Sequence, residues 1–65
     1  MLSKKYENSL DVVITEMKEL KKKITKEFIL NYVVSQVFAG TRLGAKLSKI
    51  TRKQVVLYCE KNKIK

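Results

Sequence analysis

The chain has 65 residues and a formal net charge of +9, with no proline, no histidine, one cysteine and two glycines, Gly40 and Gly44. This length holds one domain, and so few turn residues exclude an all-β fold. A lone cysteine excludes an internal disulfide, and without histidine or a cysteine pair the usual zinc ligands are missing, so no metal or cofactor is expected.

Residues 3–24 form the first predicted element, a long amphipathic helix. Tyr6, Leu10, Val13, Met17, Leu20 and Ile24 recur at spacings of four and three, the seam of a helix that packs along another helix. The seam suits either a dimer interface or one side of an intramolecular hairpin. The acids Glu7, Asp11, Glu16 and Glu19 are expected on the lysine-studded outer surface. Lys21-Lys22-Lys23 suits a helix C-terminus, where cations meet the negative dipole end.

Residues 26–39 form the second element, a central helix. Thr25 is its expected N-cap, and Ile24 and Ile29 its hydrophobic staple. Residues 28–38 are also rich in β-branched and aromatic side chains and compete as a strand, but no second strand is available to pair with it. A single bent helix through both elements remains open. The apolar run 28–39 is too short to span a bilayer, which needs about 20 residues. No signal-peptide core follows Met1. A cytoplasmic protein with a reduced, packed Cys59 is expected.

Gly40 is a natural stop for the second helix. Residues 41–62 then make a short helix, a turn and a second helix opening at Thr51. Thr51-Arg52-Lys53-Gln54 fits a capping box, with Ile50 and Val55 as its staple. The fold expected is all-α, with three to four helices in one domain over residues 1–65. Below about 70–80 residues a single core seldom supplies more than ~3–5 kcal/mol without a disulfide, metal or partner chain. A homodimer is therefore expected, packed through Tyr6, Leu10, Val13, Met17 and Leu20.

The charge is uneven. Residues 1–23 carry a net +2, residues 24–39 none, and residues 40–65 a net +7 with Glu60 as their one acid. Such asymmetry points to a polyanion. The run Ala45-Lys-Leu-Ser-Lys-Ile-Thr-Arg-Lys-Gln-Val-Val resembles the A-E-L-L-G-I-S-R-E-E-F-L pattern of small antitoxin-type and transcriptional helix-turn-helix proteins of archaea and bacteria. The resemblance spans residues 43–62. In that pattern Ala45 lets the first helix approach the second, Ile50 plugs the turn, and Val55 and Tyr58 face inward. Lys49 stands where the pattern has its turn glycine, and Ser48 replaces its second leucine.

The resemblance implies a dimeric transcriptional regulator that binds double-stranded DNA in preference to RNA. Thr51, Arg52, Lys53 and Gln54 would meet base edges in the major groove. Arg42, Lys46, Lys49, Lys61 and Lys63 would meet phosphates, with Lys65 adding non-specific attraction. Val56 and Leu57 could touch thymine methyls or bury against another subunit. The second reading is a helical-bundle adaptor that binds a protein partner through its N-terminal helix. With no histidine, no phosphate loop and a chain too small to enclose a pocket, no enzyme is expected.

Overall fold

The computed structural model describes residues 2–65, and Met1 lies outside them. It is all-helical: α1 (Lys4–Glu19), α2 (Lys26–Ala39), α3 (Arg42–Leu47) and α4 (Arg52–Lys61). Each helix starts at a hydroxyl side chain. Ser3, Thr25, Thr41 and Thr51 hold extended backbone and accept a hydrogen bond from Lys5, Phe28, Gly44 and Gln54 N–H respectively. These bonds satisfy donors that a helix cannot pair internally. Among the described residues, no helix is long and apolar enough to cross a membrane.

α1 ends earlier than its apolar spacing predicts. Leu20 is its C-cap, and Lys21 turns left-handed at φ 57°. Lys21 N–H then donates to the Lys18 carbonyl and Lys22 N–H to the Met17 carbonyl, the paired bonds of a Schellman stop. α1 and α2 are thus separate helices joined by residues 20–25. α4 ends the same way: Lys63 has φ 56°, and Ile64 N–H donates back to the Cys59 carbonyl. Lysine fills a position where glycine is usual. α2 stops at Gly40, with φ 69°.

The seam of α1 is spent inside the molecule. Leu10, Val13 and Met17 have no exposed surface, and they share one core with Ile29, Val33, Leu47, Ile50, Val55, Tyr58 and Cys59. Tyr6 packs half-buried at the edge of that core, whereas Leu20, beyond the helix end, is 60% exposed. α1 and α2 each touch all the other helices.

Gly44, not Ala45, carries the closest helix approach. A Cβ on Gly44 would stand 2.1 Å from the Gln36 carbonyl oxygen of α2. The approach is clamped by Thr41, whose hydroxyl donates to Gln36 Oε1 and accepts from Gly44 N–H. Ala45 is exposed.

Two stability changes are expected. Gly44→Ala should lose roughly 2–3 kcal/mol, because backbone must move to admit the methyl group; urea unfolding measures it. Lys63→Gly should gain about 0.5–1 kcal/mol by relieving the left-handed strain, read as a higher Tm.

Candidate nucleic-acid interface

Of α1's acids, Asp11 and Glu19 are exposed and Glu7 and Glu16 half-buried, and three of them reach neighbouring helices. Glu7 Oε2 takes the Lys61 ammonium at 2.9 Å, Asp11 accepts the Tyr58 hydroxyl, and Glu16 accepts the Tyr32 hydroxyl at 2.6 Å. Three of the four carboxylates predicted to face solvent therefore tie α1 to α4 and α2. Burial is the main cause that pushes the Tyr58 phenol up, and its bond to Asp11 adds to it. Tyr32 is pushed up to about 12, first by its bond to Glu16 and then by burial. Cys59 is buried, and desolvation pushes its thiol up while Lys26 pulls the other way.

With those acids engaged, the surface of the C-terminal half is left to its cations. Sequence carries no acid between Glu27 and Glu60. Arg42, Lys46, Lys49, Arg52 and Lys53 are all exposed. Lys46 and Lys49 line a groove between α1 and α3, together with Lys5, Tyr6, Ser9 and Ala45. Three ammonium groups and no carboxylate border that groove. Nothing local in the sequence marks Lys5 as its third cation, because the packing of α1 on α3 brings it there.

The base-facing set is only partly assembled. Arg52 and Lys53 stand free on the first turn of α4. The Thr51 hydroxyl is used as the cap, at 3.4 Å from Gln54 N. Gln54 is half-buried, and its Oε1 is buried without a hydrogen-bond partner. The return half of the capping box does not form, and a base-reading amide would need that oxygen outside. Arg52 lines a different groove from Lys46 and Lys49, beside Glu27, Leu30 and Val34 of α2. The turn between α3 and α4 thus separates the two sets. Lys61 is engaged by Glu7, and Lys63 is exposed at the α4 stop.

The α3–α4 pair departs from the helix-turn-helix pattern in its packing. No Cα of α3 lies within 8 Å of a Cα of α4. The two helices lie against α1 and α2 instead of each other, which is why Ala45 is exposed and Gly44 is the packed small residue. Lys49 is not left-handed either. Ile50, Val55 and Tyr58 are buried at the positions the pattern names. Val56 and Leu57 are half-buried within their own chain. No protein-family model, curated protein or solved structure matches the chain.

The tyrosine–carboxylate ties fix a pH dependence. A phenol whose folded pKa lies above its unfolded value of about 10 stabilises the fold fully below that value. The contribution is lost as pH rises through the folded value. Stability should therefore fall above about pH 10, and Tyr32→Phe plus Tyr58→Phe should flatten that fall relative to wild type in urea titrations repeated across the range.

Proposed function

We propose that this chain is a small dimeric DNA-binding protein of the transcription-regulating kind, with double-stranded DNA preferred to RNA. The observation that carries the reading is the Lys5–Lys46–Lys49 groove with no acid on its walls, beside a free Arg52 and Lys53 on the opening turn of α4. Ammonium groups at such a groove neutralise phosphates and release counterions, and that release drives association. An arginine projecting from a helix start can meet a guanine edge with two hydrogen bonds. Of the four base-facing residues predicted from sequence, Arg52 and Lys53 carry the role; Thr51 is committed to capping and Gln54 is turned in. Arg42 and Lys63 add outlying phosphate contacts.

The adaptor reading has less support. Its partner surface would be the α1 seam, and Leu10, Val13 and Met17 already face the core. Changing them would unfold the chain before it could test a partner.

Fluorescence anisotropy on a DNA duplex, titrated with salt beside an equal-length RNA duplex, tests the proposal. Micromolar binding that weakens steeply with salt and prefers DNA is expected. Lys46→Glu with Lys49→Glu should weaken binding at least ~10-fold and lower the salt slope by roughly two. Arg52→Ala should cost about 1–3 kcal/mol on a preferred site and relax its sequence preference. Absence of binding to either duplex at low salt would sink the reading.

A further inference from the structure

Among the described residues, four of the six large apolar side chains that the fold leaves exposed, Phe28, Val34, Val37 and Phe38, stand on α2; Val12 and Leu20 belong to α1 and its C-cap. Phe38 is 87% exposed and Val34 52%. Together with exposed Val37 and half-buried Leu30 they make a stripe at helical spacing along one side of the helix. α2 carries apolar residues on more than one side, so burying Ile29 and Val33 in the core uses only part of them. No charged residue lies between Glu27 and Arg42. The stripe is thus a neutral strip on a chain of net charge +9.

We propose that this stripe pairs with the same stripe of a second copy, the two α2 helices running antiparallel about a two-fold axis at Val34. Such an interface is isologous, so the surface must complement itself. In this register Val34 meets Val34 of the other copy, and Leu30 meets its Phe38. Glu27 at one end comes beside the Thr41–Arg42 corner at the other. Among the described residues Glu27 makes no ion pair, although it shares a groove with Arg52, and its charge complements Arg42 across the axis. Two strongly cationic chains repel, and α2 offers the stretch between Glu27 and Arg42 that adds no charge of its own to the contact. A helix of 14 residues is about 21 Å long. The contact therefore falls toward the small end of specific interfaces, and micromolar association is expected.

The proposal supplies the interface for the dimer in the reading above, yet it needs no nucleic acid, so the two can fail separately. Sedimentation equilibrium without nucleic acid is the primary test. Wild type should shift from monomer to dimer across the micromolar range, and Phe38→Glu should stay monomeric with unchanged helical circular dichroism. Cysteine cross-linking in a Cys59→Ala background fixes the register. Val34→Cys on the axis should oxidise to a covalent dimer. Phe38→Cys should not, because the two copies' sulfurs would be eight residues apart along the helices, about 12 Å. A wild type that stays monomeric overturns the proposal, as does a monomer that instead adsorbs to neutral lipid vesicles through Phe38. Equal cross-linking at both positions, or at neither, overturns the antiparallel register. A monomeric Phe38→Glu that still binds duplex DNA would leave the groove reading standing by itself.

Discussion

The burial of one face of α1 governs the rest of this structure. Leu10, Val13 and Met17 are wholly enclosed, each worth roughly 1.5–3 kcal/mol relative to exposure. No other three consecutive seam positions are so completely covered. α2, α3 and α4 all lie against this helix. Once the seam is occupied, α3 and α4 are placed by α1 and α2 and have no need to pack on each other. The same burial brings Lys5 to the rim of α3 and sets Asp11 and Glu16 opposite their tyrosines. Site and core follow from a single packed stripe.

Much of this was legible in the sequence where the signal is local. A threonine cap is written in a few residues, so the starts of α2 and α4 fall where Thr25 and Thr51 predict. Gly40 marks the end of α2 for the same reason. The end of α1 was not legible. Its stop uses Lys21 in a left-handed conformation that lysine seldom adopts, and Leu20 and Ile24 continue the apolar spacing past the true end. Gly44 was hidden differently. Ala45 fits the helix-turn-helix pattern's small residue, but only the distance to the Gln36 carbonyl reveals that the neighbouring glycine has no room for a side chain.

The candidate site divides along the same line. That the C-terminal half is basic follows from counting charges. That Lys5 joins Lys46 and Lys49, that Gln54 turns inward, and that Lys61 is held by Glu7 are consequences of helices meeting at long sequence separation. No spacing rule reaches that far. The bonds of Glu7, Asp11 and Glu16 were not legible for this reason too, since their partners Lys61, Tyr58 and Tyr32 belong to other helices.

Charge and apolar surface are sorted in this molecule instead of mixed. The only ion pair among the described residues joins Lys61 to Glu7, and both partners are partly solvated, so it adds little to stability. The fold rests on apolar burial and tyrosine–carboxylate ties, and the remaining cations are left uncommitted. A surface lysine that stabilises nothing can be spent on a ligand without loss to the fold. An exposed phenylalanine, by contrast, gains nothing from water and lowers its free energy only by being covered. The two kinds of surface therefore differ in chemistry, free cations on one side and uncharged apolar side chains on α2 on the other, and they meet where Arg52 borders Leu30 and Val34.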